Sequence, residues 1–358
     1  MLKTLFVKVF SNWISIQIPN RKIVVSFQIT TYILFLSLLV GYAVILPSPI
    51  EAGIHENAGT RAMTFLKIGV GAEGISMGES QVAHTDDLYA TFWNPAGLAS
   101  VRQSQFAFMH NEWFGDINHE YIGFAQPLGD LGAVAGSLIY LSYGELIGRD
   151  ENGNETKPFH PYDLALILSM ARKFGSLSVG GNIKWVREKI LSGNEAEQLR
   201  SSTEATSAQA AEANALALDI GGLYTFPGSN GEDGPFSIGL NLQHLGRTRF
   251  IEESFLLPVN LKVGVAYEML KDAAVIVADL NRPSDNNISL GIGLAFTALK
   301  WFHVRSGYKY IIGGNDLGAV SGVTAGLGAS AGNFQIDYAF IFMGQFGPTH
   351  RFSLLARF

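Results

Sequence analysis

The chain contains no cysteine. That absence excludes disulfide scaffolds, zinc ribbons, iron–sulfur clusters and thiol catalysis. It also removes the acylated cysteine on which a bacterial lipoprotein is anchored. Charge is scarce: Asp, Glu, Lys and Arg make up 16% of the 358 residues, against roughly a quarter in an ordinary soluble domain. Basic residues are not in excess, since 25 Lys and Arg face 31 Asp and Glu for a formal charge of −6. A nucleic-acid surface needs the opposite balance and a clustered positive face, so no nucleic-acid partner is expected. A disordered chain is excluded by the 47% hydrophobic content and the 24 Phe. What is abundant is glycine, 40 residues, together with an aromatic fraction of 11%. Rich in both and poor in charge, the composition suits a membrane β-barrel.

Long apolar runs are missing everywhere except near the start. Lys3, Lys8, Arg21 and Lys22 precede an apolar stretch from about Ile29 to Leu46, and no acidic residue occurs before Glu51. Pro47, Ser48 and Pro49 break the stretch, and Ala52 supplies a small residue for processing. This order of basic, apolar and cleavage regions predicts a secretory signal over residues 1–52, removed so that the mature chain begins near Gly53. A retained membrane anchor is the alternative, because the run is nearly long enough to span a bilayer. Export without cysteine points to the cell outer membrane of a Gram-negative-type envelope.

From Ser104 to Phe358 the hydrophobic period is two. Phe334, Ile336, Tyr338, Phe340 and Phe342 alternate with Asn333, Gln335, Asp337 and Ala339, and Val263, Val265 and Tyr267 alternate with Lys262, Gly264, Ala266 and Glu268. About fourteen such segments, near 104–110, 117–126, 130–142, 161–172, 174–188, 214–226, 235–244, 257–269, 272–281, 287–297, 300–311, 318–330, 332–343 and 349–358, have the length of membrane-barrel strands. One side is almost always Leu, Ile, Val, Phe or Tyr. The other tolerates Gly, Ala, Ser, Asn and isolated charges such as Lys184, Asp219, Lys262, Glu268, Asp337 and Arg351. A solvent-facing side of a sandwich carries more charge than that, so the tolerant side is expected to face a partly filled lumen. Tyr140, Tyr162, Trp185, Tyr224, Tyr267 and Tyr310 fall where interfacial girdles are expected.

The expected fold is therefore all-β, a transmembrane antiparallel barrel of about 14 strands over 104–358, preceded by an N-terminal hatch over 53–103. Alternating link lengths agree. Links 111–116, 143–160, 189–213, 245–256, 282–286, 312–317 and 344–348 include every link of more than about ten residues and belong outside, while the mostly tight links, with 227–235 a medium exception, belong to the periplasmic side. In the link 189–213 the run from Glu195 to Ala215 is rich in Ala, Glu, Gln and Ser, which predicts a solvated helix or loop, with a docking surface as the sharper alternative. Phe352, Leu354 and Phe358 in the last strand read as a C-terminal assembly signal for outer-membrane assembly machinery.

Two apparent catalytic motifs lie in 65–99. Gly69-Val70-Gly71-Ala72-Glu73-Gly74 fits a dinucleotide fingerprint, but nothing after it supplies the βαβ unit that places a helix N-terminus on the pyrophosphate. Gly74-Ile75-Ser76-Met77-Gly78 fits a nucleophile elbow without an α/β sheet to hold it. Gly69, Gly71, Gly74 and Gly78 read instead as close-packing positions of the hatch, and Asn94, Pro95, Ala96 and Gly97 as a fixed turn at its end, with Pro95 setting φ and Asn94 free to bond nearby backbone. The His residues show no H-x-x-x-H pairing, and Asp150 to Glu155 lacks full calcium-loop spacing. No metal, cofactor or enzymatic activity is expected.

The order Phe65-Leu66-Lys67-Ile68-Gly69-Val70-Gly71-Ala72, Met77-Gly78-Glu79, Trp93-Asn94-Pro95-Ala96-Gly97-Leu98, with Gly347-Pro348-Thr349-His350-Arg351 near the end, resembles the PorV/PorQ family of outer-membrane proteins, whose barrels are like the long-chain fatty acid transporter FadL. The resemblance extends over the expected mature chain. It implies a fourteen-stranded barrel with an N-terminal hatch, and a role in type IX secretion or in passage of apolar molecules. One departure is that the stretch from Gly71-Ala72 to Met77-Gly78 often carries an early Arg in the family, where this chain has Glu73-Gly74. Three functions follow: a barrel linked to type IX-like protein secretion, with secretion-system components as partners; a FadL-like passive channel for hydrophobic compounds such as fatty acids; and a structural or adhesive surface barrel. Outer-membrane lipid is a partner in each.

Overall fold

The computed structural model describes residues 16–18, 21–23, 55–149, 153–202, 210–228, 232–250, 253–270, 273–313, 321–344 and 347–358. The chain divides into two units, Met1–Ile50 and Glu51–Phe358. In the first, Ile16–Ile18 pairs antiparallel with Arg21–Ile23. The apolar run and the processing point expected within 1–52 lie outside the described residues.

The second unit is built on fourteen strands: β1 (Gln105–Glu112), β2 (Asn118–Pro127), β3 (Ala133–Ser142), β4 (Tyr162–Phe174), β5 (Leu177–Leu191), β6 (Ala211–Pro227), β7 (Asp233–Phe250), β8 (Asn260–Met269), β9 (Ala274–Pro283), β10 (Ser289–Ala298), β11 (Phe302–Ile311), β12 (Val323–Ala331), β13 (Phe334–Phe342) and β14 (Pro348–Arg357). Each pairs antiparallel with its chain neighbours, and β14 pairs with β1, so the sheet closes into a barrel and leaves no free edge. Each of the fourteen expected segments overlaps one of these strands, residues 318–320 of the twelfth lying outside the described residues.

The alternation is obeyed because the two sides meet different surroundings. Leu168, Ile183, Leu216, Ile220, Ile336 and Phe352 stand exposed on the outer face, where lipid is their solvent. Lys184, Asp219, Lys262, Asp279, Arg305 and Arg351 are buried on the inner face. The backbone groups are satisfied across the ladder, as a chain in hydrocarbon requires.

Two expected loops are more ordered than their composition implies. β7 runs through the expected loop to Phe250 and carries a short added strand, Glu253–Leu256, paired with it alone. The link 143–161 contains a hairpin of Leu146–Arg149 with Glu155–Phe159, clamped by an Arg149–Glu155 ion pair of 2.8 Å. The link after β5 carries a helix, Gly193–Ser202, where a helix or loop was expected. These longest links lie at one end of the barrel, which is therefore its extracellular end.

One irregularity matters later. The β6–β7 register shifts between Leu218 and Ile220, so that Gln243 and His244 together oppose Asp219, with His244 at φ 60°. This bulge moves the alternation of β7 by one residue. Leu240 faces outward below it, whereas Arg247 and Arg249 face outward above it.

Candidate functional site

Residues 63–101 pack, most of them buried, against the inner face of the wall. Their short helices, Ala72–Ser76 and Ala90–Trp93, and 3₁₀ turns, Thr64–Lys67 and Pro95–Ser100, are too brief to be stable alone. They are held by the wall. At the extracellular end Lys67 pairs with Asp285 at 2.6 Å and the Met63 N–H donates to Glu188 at 2.8 Å. Midway, the Arg351 guanidinium donates to the Gly69 carbonyl at 2.7 Å, and the Gln81 and Val82 N–H groups both donate to Asp279, at 2.7 and 2.9 Å. From β5 and β7, Asn182, Asn241 and Gln243 donate to the carbonyls of Thr91, Trp93 and Phe92. A segment with little regular structure has exchanged its water for side chains of the barrel, as buried backbone must.

Charge is paired across this boundary. Arg305 bridges Asp337 on β13, at 2.6 Å, and Glu73 of the inner segment, at 2.8 Å. Lys309 meets Glu79 at 2.6 Å. Burial by itself would raise the Glu79 carboxyl, but the Lys309 ammonium, together with Arg351 and Lys262, outweighs it and leaves the group below its ordinary range. Glu73 is likewise held low against its burial, chiefly by Arg305. Lys262 sits over the Trp93 and Phe92 rings, 4.8 and 5.3 Å from their centroids, which offsets part of its desolvation. Lys184, Asp219 and His244 form a buried cluster beneath the β7 bulge, with Lys184–Asp219 at 2.6 Å and the His244 N–H donating to Asp219 at 2.8 Å.

The sequence motifs find ordinary places here. Asn94 caps the turn Pro95–Ser100 by accepting from the Ala96 N–H at 3.2 Å, and its amide donates to the carbonyls of Val82, 2.8 Å, and Gly222 on β6, 3.1 Å. Ala96 and Gly97 are buried, and a Cβ on Gly97 would strike the Thr85 carbonyl. Asn94→Ala removes all three bonds and takes the side-chain partner from the buried Ala96 N–H and the Val82 carbonyl. It is expected to cost about 1–3 kcal/mol, read as a lower urea midpoint of the detergent-solubilised protein. Gly69 and Gly74 pack on the Trp93 ring, Gly71 on Tyr89, and Gly78 on the backbone of β10 and β11. At the apparent nucleotide fingerprint the N–H groups of Gly71 and Ala72 are already given to Met109 and Ser353. Ser76 donates to the Glu73 carbonyl rather than to a base. Phe352 and Phe358 are exposed on the outer face with Leu354 half-buried between them.

Sequence reasoning missed the wall-side counterpart of this packing. Gly180, Gly221, Gly239, Gly293, Gly307 and Gly326 face inward on six strands, and a Cβ on any of them would collide with residues 76–96. Glycine on the tolerant side was legible, but which segment it admits was not. Among the described residues no cluster of His, Asp and Glu could hold a metal ion.

A closed, lipid-faced barrel of fourteen strands with a filled polar interior defines an outer-membrane β-barrel protein. The family model of type IX secretion system protein PorV matches residues 52–282, and the chain belongs to that family. The match ends short of the last five strands, where the expected resemblance continued to Arg351. Solved structures of similar fold include the toluene transporter TodX of Pseudomonas putida, at 14% identity and a TM-score of 0.53, covering 80% of this chain and 96% of that one. The toluene transporter TbuX of Ralstonia pickettii matches at 17% identity and a TM-score of 0.51, covering 81% and 98%. No curated protein matches.

Proposed function

We propose that this PorV-family barrel serves type IX-like protein export as a plugged wall component, with residues 53–103 as its hatch, and that it presents its extracellular loops to secretion-system components or their cargo. The observation that carries this reading is the cross-linking of the inner segment to strands around the barrel. Ion pairs from Lys67, Glu73 and Glu79, with backbone bonds to Asp279, Asn182, Asn241, Gln243 and Arg351, tie down the whole length of the lumen filling. A barrel filled this way suits a scaffold better than an open pore. Removing the chain from the outer membrane is expected to leave type IX cargo in the periplasm, measured by fractionation and surface protease digestion. Normal surface cargo in its absence would defeat the reading.

Passage of hydrophobic compounds is the second reading. It is favoured by one sector of the inner wall, where Ala165, Val186, Ala213, Ala215 and Ala217 pack with Phe65 and Leu66 in a continuous apolar cluster. The similar folds of TodX and TbuX, described as toluene transporters, agree with it. Toluene uptake that falls on removal of the protein, with cargo export intact, would favour this alternative.

A further inference from the structure

The outer wall carries two concavities that share residues. One, of about 640 Å³, is lined almost wholly by apolar side chains of β1 to β6, among them Ile122, Phe124, Leu166 and Ile183, with Gly136 in its lining. Gly136 faces outward between Phe124 on β2 and Leu168 on β4. Its missing side chain is what lowers the surface there. The other, of about 740 Å³, is lined by Asn214, Thr248 and Ser254 together with Arg247 and Arg249. Trp185 and Leu216 border both.

The register fixes how the two are arranged. Leu166, Trp185, Leu216 and Arg247 are successive partners across β4, β5, β6 and β7, so they form one row around the wall. Phe124, Gly136, Leu168 and Ile183 form the next row toward the periplasmic end. The β7 bulge is what turns both arginines outward at the level of Trp185, where an aromatic belt meets the headgroup region. Neither guanidinium has a carboxylate partner among the described residues, although Arg187 close by is paired with Glu212 at 2.6 Å. Two guanidiniums with no carboxylate partner among the described residues, above an apolar trough, are complementary to one amphiphile with an anionic head.

We infer that this face binds a single phosphate-bearing lipid of the outer leaflet. Its phosphate lies between Arg247 and Arg249, and an acyl chain passes Trp185 and Leu216 into the trough over Gly136. The lipid would brace β7 where its register is broken.

The test uses the full-length protein purified in an uncharged maltoside detergent, titrated with long-chain phosphatidylglycerol and read by native mass spectrometry. One bound lipid is expected. Arg247→Gln with Arg249→Gln should weaken it about tenfold, the loss of a charge-assisted pair of contacts. Gly136→Leu should fold, because a Cβ there meets only Leu168 Cδ2 at 3.9 Å, and should weaken binding several-fold by filling the trough. Retention unchanged in the arginine variant would overturn the inference, as would equal binding of uncharged diacylglycerol. Inorganic phosphate competing as well as the lipid would show a simple anion site and overturn it too. Loss in the arginine variant with none in Gly136→Leu would overturn the shared occupant. These readouts do not involve cargo or toluene, so they stand apart from the functional reading above.

Discussion

Asp219→Ala is expected to be the most damaging single substitution in the barrel wall, lowering stability by about 3–5 kcal/mol. The carboxylate accepts from Lys184, from Asn182 at 2.7 Å and from the His244 N–H, and it lies opposite the two-residue bulge of β7. Removing it leaves an ammonium whose side chain is 1% exposed without an anion, and it releases the backbone bond that holds the bulge. Breaking a buried pair from one side costs more than the pair contributes, because the surviving charge stays desolvated. Lys184→Met with Asp219→Leu should therefore recover much of the loss, since it removes both charges together. Urea midpoints in detergent micelles measure all three proteins. A double variant no more stable than Asp219→Ala would mean that the cluster acts through the bulge rather than through charge.

Gly307→Val is expected to dislodge the middle of the inner segment. A Cβ on Gly307 falls on the Gly78 nitrogen and the Met77 carbonyl carbon. Both are backbone atoms, so no rotamer change relieves the clash. Overpacking of this kind costs about 1–3 kcal/mol where the neighbours can shift. Here the shift must carry the bonds that tie residues 76–79 to Thr324 and Lys309. The absence of native cysteine makes the displacement measurable. Ser80 is fully buried, and Ser80→Cys should be protected from a water-soluble maleimide in the parent and react readily when Gly307→Val is added. Equal protection in both would show that the wall yields instead of the segment.

The fold was legible because lipid outside and a polar filling inside impose opposite demands on adjacent residues. Phe334 to Phe342 showed it openly, with Asp337 and Gln335 between aromatics. The legibility weakened where that demand is interrupted. The stretch 245–256 has no clean alternation, since the bulge at Gln243 and His244 changes its phase, and it read as a loop although β7 continues to Phe250. The inner segment was marked by its glycines and by Asn94-Pro95, but not by its partners. Lys184, Asp219, Asp337 and Arg351 were visible as charges on the tolerant side, while Arg305, Lys309 and Asp279 were not singled out at all. The available signal was general: a charge on the inner side of a lipid-embedded strand must be neutralised nearby.

The sequence by itself determined the number of strands, their faces and which ends carry the long links, because each of these follows from side-chain period and local turn chemistry. Only the tertiary structure decided that Glu73 meets Arg305, that Glu79 meets Lys309 and that Met77 and Gly78 lie against Gly293 and Gly307. These partners are far apart along the chain. They are brought together by closure of the cylinder around its own N-terminal segment, a geometric condition that no local pattern encodes.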